Sequence, residues 1–213
     1  MGARLVLLML AGLASSPAFA APEADAAAAL RVTRYLAELS SLRAQFQQSV
    51  ADARGRVIER AEGTMAIARP GRFRWDYRTP EQLIVCDGVT VWLYDIELDQ
   101  VTVKAAGDAL AGTPAMLLAG HGSLEQEFTI ADAGRDSDLA WSLLTPHRAD
   151  ADFREVRLGF DGRDLRRMRL FDRLGQTTEL EFTSIEHNPK LEQSLFSFDP
   201  PPGVDVVGRA PAG

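Results

Sequence analysis

The side chains of this sequence that could carry catalysis or bind a metal are few and widely spaced. His121, His147 and His187 form neither an HxH nor an HExxH pattern, so their spacing argues against a metal site. The sequence contains no GxSxG motif and no phosphate-binding loop. Cys86 is the only cysteine and ends an apolar run, which favours a buried side chain over a nucleophile. The sequence therefore predicts neither an enzyme nor a protein with a cofactor or a metal.

Arginines alternate with aromatic rings in the segment RPGRFRWDYR, residues 69–78. Basic and aromatic side chains together are typical of nucleic-acid surfaces. In an extended strand, however, Phe73, Trp75 and Tyr77 point to one face and their arginine neighbours to the other. The formal net charge of −7 adds no attraction for phosphates. We therefore expect an amphipathic strand with its rings in the core, and no binding of nucleic acid.

Arg69 differs from the other arginines of this segment. Pro70 follows it and favours an extended backbone at residue 69. If the strand continues back to residue 69, Arg69 points to the same face as Phe73 and Trp75, because alternate residues of a strand share a face. It then lies at the edge of the apolar face. The pattern alone is equally compatible with an arginine in solvent at the rim.

The first 20 residues, MGARLVLLMLAGLASSPAFA, have the features of a secretory signal peptide. Arg4 precedes an apolar run that is too short to span a bilayer, and Ala18-Phe19-Ala20 fits a cleavage site. Ala21 follows, where a lipoprotein would have a cysteine for lipid attachment. We expect residues 1–20 to be removed and residues 21–213 to form a single domain, soluble and outside the cytoplasm.

The sequence after the signal peptide changes from a helical to a strand period. Residues 26–42 are predicted as a helix, with one apolar stripe made by Val32, Tyr35, Leu36 and Leu39. Alternating runs follow, separated by turn signals such as Asp87-Gly88 and Asp161-Gly162. The spacing predicts about ten or eleven strands in one antiparallel meander.

A sheet of this length curls, and its dry face must be covered. The N-terminal helix is one cover. The segment 105–126 is the other, because Thr113 can cap a short helix that begins at Pro114 and carries the apolar sequence AMLL. The pattern thus predicts a mainly β fold in which short helices plug a curved sheet. The C-terminal tail, GVDVVGRAPAG, is expected to be loose.

Three motifs, in order along the chain, resemble the LolA family of periplasmic carriers of outer-membrane lipoproteins. They are RPGRFRW from Arg69, DGVTVWLYD from Asp87 and FSFDPPPGVDV from Phe196; FQQSV, TPAMLL and WSLLTP extend the match over nearly the whole chain after the signal peptide. The resemblance implies a half-open antiparallel β-barrel with a helical lid. It also implies that acylated lipoproteins are received from an inner-membrane ATP-driven exporter and handed to an outer-membrane receptor lipoprotein.

The resemblance also implies roles for individual residues. In that family the arginine of the RP corner helps to hold the lid closed, so Arg69 is the candidate latch, and the rings of the corner line or border an acyl-binding cavity. In the run VTVWLYD, Trp92 and Tyr94 point one way and Val91 and Leu93 the other, and the sequence leaves open which pair faces inward. The candidate ligand-binding residues are Leu36, Leu39, Phe73, Trp75, Tyr77, Trp92, Met116 and Leu117.

Two other functions stay open at this point. A carrier of another amphiphile, such as a glycolipid, would use the same apolar interior. A lipoprotein-sensing regulatory module has a similar half-barrel but a second domain, for which a mature chain of about 190 residues leaves little room. We expect a monomer.

Overall fold

The structure, a computed structural model, describes residues 20–109, 114–120, 124–149 and 151–210. Its dominant element is one open, curved sheet of twelve strands. The strands are β1 Ser41–Ala51, β2 Val57–Ala68, β3 Arg72–Thr79, β4 Glu81–Asp87, β5 Thr90–Asp95, β6 Gln100–Ala105, β7 Phe128–Asp136, β8 Leu139–Pro146, β9 Phe153–Asp161, β10 Asp164–Asp172, β11 Thr177–His187 and β12 Asp205–Gly208. The helices are α1 Ala20–Glu38, α2 Ala106–Ala109, α3 Pro114–Ala119 and α4 Leu124–Glu127, with a 3-10 helix at Gln193–Phe196.

The order of the strands explains how the chain covers its own sheet. From β1 the sheet continues through β2 to β6 on one side, and through β11 back to β7 on the other. The chain between β6 and β7 must therefore cross from one side of the sheet to the other. This crossing contains α2, α3 and α4. Leu117 and Leu118 of α3 are buried in the same cluster as the sheet's apolar face, so the crossing passes over that face.

The predicted mainly β fold with helical covers is confirmed. The predicted single meander is wrong, because β6 and β7 do not pair and β1 pairs with β11. The prediction for the C-terminal tail is also wrong. The tail was expected to be loose, but Asp205–Gly208 forms β12 and pairs with β6. This pair is parallel, whereas every other described pair in the sheet is antiparallel. Val206 and Val207 fit a strand, but no turn signal links them to their distant partner β6.

The apolar spacing predicted a helix that ends at Leu42. In the structure, helix α1 ends at Glu38. The cause is Asn188, which lies just after β11. Its Nδ2 donates to the carbonyl of Glu38 over 2.9 Å, and its Oδ1 accepts from the backbone N–H of Ser40 over 2.8 Å. One side chain thus satisfies the last turn of the helix and the start of β1, so Leu42 is buried as a strand residue.

The alternation of β3 is confirmed. Phe73 and Trp75 are buried, and Arg72 and Arg74 lie on the opposite face. Arg74 forms an ion pair with Asp76, and the Arg72 guanidinium lies 5.6 Å from the ring centroid of Phe196. Arg72 and Arg74 therefore make their contacts within the protein.

Gly63 in β2 is the position at which we expect a single added methyl group to harm the sheet most directly. A Cβ there would lie 1.9 Å from the carbonyl oxygen of Asp76 and 3.0 Å from Cε1 of Phe46. The carbonyl belongs to the backbone of β3, so β2 and β3 must separate. Gly63→Ala should lower the free energy of unfolding by about 2–3 kcal/mol, measured by urea denaturation.

The matched control is Gly107→Ala in α2, where an added Cβ meets no atom within 4 Å. This variant should be neutral or slightly stabilising, because alanine favours a helix over glycine. Equal stability of the Gly63→Ala and Gly107→Ala variants would contradict the close approach of β2 and β3.

Candidate functional site

The covered face of the sheet carries large apolar side chains in register. One row across β2 to β5 is made by Ile67, Phe73, Cys86 and Val91. The next row is made by Met65, Trp75, Ile84 and Leu93. Both rows belong to one apolar cluster with side chains of α1 and α3. The helices are thus in contact with the surface that an apolar ligand would need.

Three rings lie together in the middle of this face. The centroid of Phe46 is 5.4 Å from that of Trp75 and 5.0 Å from that of Tyr77. The Tyr77 hydroxyl donates to Oε1 of Gln48 over 3.3 Å, and burial raises the pKa of Tyr77 to about 12. Phe46 contacts both of the other rings, so the three form a continuous apolar surface with a hydroxyl at one end.

Arg69 reaches the C-terminal end of α3. Its Nη1 donates to the carbonyl of Leu118 over 3.1 Å, and the backbone N–H of Gly71 donates to the carbonyl of Ala119 over 3.0 Å. Both carbonyls belong to the last turn of a short helix, where they lack partners within the helix. The corner between β2 and β3 is thus bonded directly to the end of α3.

Gly120 allows this approach because of its size and its backbone angle. Its φ is +36°, and a Cβ at this position would lie 3.1 Å from Nη2 of Arg69. Partial burial lowers the pKa of Arg69 from its ordinary value, and the guanidinium stays charged. Among the residues that the structure describes, Arg69 has no carboxylate partner. The charge is therefore directed at a neutral group, the carbonyl of Leu118.

Helix α1 covers the other half of the face and leaves a cleft beside it. The cleft has a volume of about 690 Å³ and opens between α1 and the ends of β9, β10 and β11. Tyr35, Leu39 and Phe160 line it and also belong to the apolar cluster. At its rim, Glu38 accepts hydrogen bonds from both Arg34 and Arg163. The cleft thus leads from a charged rim to the buried apolar face.

Most of the predicted ligand-binding residues lie on this covered face. Phe73, Trp75, Leu39 and Leu117 are buried in the cluster, and Leu36 and Tyr77 pack against it, partly buried. Met116 belongs to α3, but its side chain lies outside the described residues. Arg69 adjoins the same face through its bond to Leu118.

Trp92 is the exception and corrects the prediction. It pairs with Val85 and Val103, a row on the face opposite to Phe73 and Val91. Its ring lies 6.5 Å from that of Phe198, in the segment that follows the 3-10 helix. Tyr94 also contacts Phe198, at 5.8 Å. The sequence left the inward pair of this strand open, and the register places Val91 and Leu93 inward.

The described part of the chain has neither a group of metal-ligating side chains nor a helix that could span a membrane. It contains no group of three His, Cys, Asp or Glu side chains that could hold a metal ion. None of its helices is long and apolar enough to cross a membrane.

Comparison with known protein families shows which family this chain belongs to. The family model described as outer membrane lipoprotein carrier protein LolA matches residues 37–199. The chain belongs to the LolA family.

Relatives from other bacteria cover most of the chain. The outer-membrane lipoprotein carrier protein of Dechloromonas aromatica is 47% identical over 87% of this chain and 90% of its own length. That of Chromobacterium violaceum is 42% identical over 93% of this chain and 96% of its own length. The residues matched by the family model include the strands β1 to β11 and the crossing helices α2 to α4.

A solved structure shares this fold at low sequence identity. An uncharacterized conserved protein from Thermus thermophilus superposes with a TM-score of 0.55 at 14% identity, covering 86% of this chain and 98% of that protein. At this identity the comparison bears on the fold alone.

The predicted list of ligand-binding residues left out several residues of the covered face of this LolA-family protein. They are Tyr35, Phe46, Met65, Leu118 and Phe160. The alternation of β1 and β9 already marks Phe46 and Phe160 as inward positions, and the helical stripe marks Tyr35. Leu118 was missed because the end of α3 is defined by its contact with Arg69, which no local pattern reveals.

Proposed function

We propose that this chain is a periplasmic carrier that shields the acyl chains of lipoproteins and passes them from an inner-membrane ATP-driven exporter to an outer-membrane receptor lipoprotein. The observation that carries the proposal is the apolar face of the sheet, covered by α3, whose last carbonyls bond to Arg69 and Gly71. Membership of the LolA family supports it, because the family is described as a carrier of outer-membrane lipoproteins.

The hydrophobic effect explains why such a cargo needs a carrier. Each acyl CH₂ that is moved out of water contributes about 0.8 kcal/mol, so an anchor with several chains does not cross water uncovered. The covered face offers rings and branched side chains in their place. Contacts of this kind are non-directional and do not fix one lipoprotein over another.

The closed lid explains how release needs no energy source in the carrier. Tyr35 and Leu39 of α1 and Leu117 and Leu118 of α3 now occupy the face that acyl chains would take. Loading exchanges one set of apolar contacts for another, so the two states differ by a small free energy. The bond between Arg69 and Leu118 then biases the equilibrium towards the closed, empty state.

We propose that residues 1–20 are a signal peptide, that residues 21–213 act as one domain and that the carrier is a soluble monomer in the periplasm. Sequencing of the N-terminus of the exported protein would check the cleavage after Ala20.

Binding of an acylated peptide tests the proposed cargo. We expect the mature protein to bind a diacylated lipopeptide and not the same peptide without acyl chains, because the apolar face recognises only the chains. Trp75 lies on that face and Trp92 does not. Binding should therefore change the fluorescence of wild type and also that of the Trp92→Phe variant, which keeps Trp75. Titration with both peptides measures the difference.

A glycolipid that binds in preference to the acylated peptide would replace lipoproteins as the cargo. Binding of the acylated peptide without transfer to the receptor lipoprotein would instead support a sensing module. Equal binding of the acylated and unacylated peptides would contradict the proposal.

A further inference from the structure

Two tryptophans of this chain are buried with an indole N–H that has no hydrogen-bond acceptor among the described residues. They are Trp75 in β3 and Trp141 in β8, each 3% exposed. A buried donor without an acceptor is costly, because it has lost water and gained nothing in exchange. Such a group calls for an explanation from its surroundings.

The two tryptophans lie on opposite faces of the sheet. Trp141 stacks under the guanidinium of Arg169, whose Cζ is 4.5 Å from the ring, and its ring fills the space above Gly159. These contacts hold the ring of Trp141 on the face opposite to the covered one, so its N–H is not offered to a ligand on the covered face. Trp75 lies on the covered face instead, where Phe46, Met65 and Ile84 are its neighbours. None of these three side chains can accept a hydrogen bond of ordinary strength.

A phenylalanine would fill this apolar site without an unmet donor, whereas the N–H of Trp75 is available to a ligand that replaces the helices on the covered face. The inference rests on the proposed function, in which acyl chains replace the helices on this face. Every acyl chain begins with a carbonyl, which loses its water when it enters the apolar site. The carbonyl and the indole N–H are then two unmet groups that can satisfy each other.

We propose that the Trp75 indole N–H donates to the carbonyl at the head of a bound acyl chain. This contact sets how deeply the chain enters, because the carbonyl stops at Trp75 while the hydrocarbon extends over the rest of the face. It also makes the carrier selective for chains attached through a carbonyl over hydrocarbon chains attached through an ether.

An ester and its matching ether test the proposal directly. Dioctanoylglycerol and dioctylglycerol have the same backbone and nearly the same hydrocarbon, and only the first has carbonyls. Wild type should bind the ester about five- to tenfold more tightly, a ratio typical of one hydrogen bond. Trp75→Phe should bind both lipids with similar affinity, and Trp141→Phe should keep the preference of wild type. Isothermal titration measures all six affinities.

Spectra of wild type provide a readout that depends on no variant. The indole ¹⁵N–¹H signal of Trp75 should move to lower field with the ester and move less with the ether, while that of Trp141 stays in place. Equal affinities of wild type for the two lipids, or a preference that survives in Trp75→Phe, would overturn the inference and leave the proposed carrier function intact. Binding of neither lipid, and of no acylated peptide, would overturn both.

Discussion

Arg69→Leu is expected to load acylated cargo normally and to pass it to an acceptor roughly 10- to 100-fold more slowly than wild type. In the closed state the guanidinium bonds to the carbonyl of Leu118 at the end of α3. A hydrogen bond from a charged group contributes about 1.5–3 kcal/mol. Without it, the closed, empty state is less stable relative to the open, loaded state, so the cargo is retained. Transfer of a labelled lipoprotein to the receptor lipoprotein, followed over time, measures the effect.

Arg69→Lys should lie between wild type and Arg69→Leu. Lysine keeps the charge but lacks the planar fork that reaches Leu118 from the corner. The matched control is Arg72→Leu, three residues along the chain, because Arg72 points to the opposite face and lies over Phe196. Arg72→Leu should transfer cargo as wild type does. Equal transfer rates for Arg69→Leu and Arg72→Leu would show that Arg69 has no special role in closing the lid.

The elements that the sequence predicted best are those with local causes. The hairpin at Asp87-Gly88 forms as expected, because the Asp87 carboxylate accepts from the backbone N–H groups of Val89 and Thr90 and Gly88 adopts a positive φ. The alternation of β3 likewise follows from the period of a strand, whatever the strand pairs with. These features need only a few neighbouring residues.

The features that sequence reasoning missed depend on partners far along the chain. The end of α1 is determined by Asn188, 150 residues away from Glu38. The position of Trp92 depends on Phe198, which covers the outer face of the sheet. Val91 and Leu93 are as apolar as Trp92 and Tyr94, so no pattern within β5 could decide between the two faces.

The candidate site was predicted in part. The rings of β3 were predicted from the strand period, and Arg69 from its parity and from the family resemblance. The acceptor of Arg69, the carbonyl of Leu118, is a backbone group whose position depends on how α3 crosses the sheet. A sequence names side chains, but it does not show which carbonyl groups a folded segment leaves without partners.

Cys86 gives a direct measure of lid opening, and we expect Arg69→Leu to raise its rate of reaction with a thiol reagent by roughly 10- to 100-fold. Cys86 is the only cysteine of the chain, is fully buried on the covered face and lies in the same cluster as Leu117 and Leu118. Burial raises the pKa of its thiol to about 11, so about one thiol in a thousand is ionised at pH 8. In an open form that admits water the pKa returns towards about 8.5, and the reactive thiolate becomes far more abundant. The rate of reaction at pH 8 therefore reports the population of open protein.

The experiment needs no cargo, so it tests the lid separately from transfer. Wild type and Arg72→Leu should react slowly and at the same rate, and both should react at full speed when unfolded in urea.

Low concentrations of urea distinguish lid opening from unfolding. Opening of α3 exposes little surface, so the reaction rate of Arg69→Leu should depend on urea much less steeply than global unfolding does. If Cys86 reacts equally fast in Arg69→Leu and in wild type, or reacts only through global unfolding in both, the bond from Arg69 to Leu118 does not control access to the apolar face. A faster reaction confined to Arg69→Leu would identify that bond as the contact that keeps water, and cargo, out of the closed carrier.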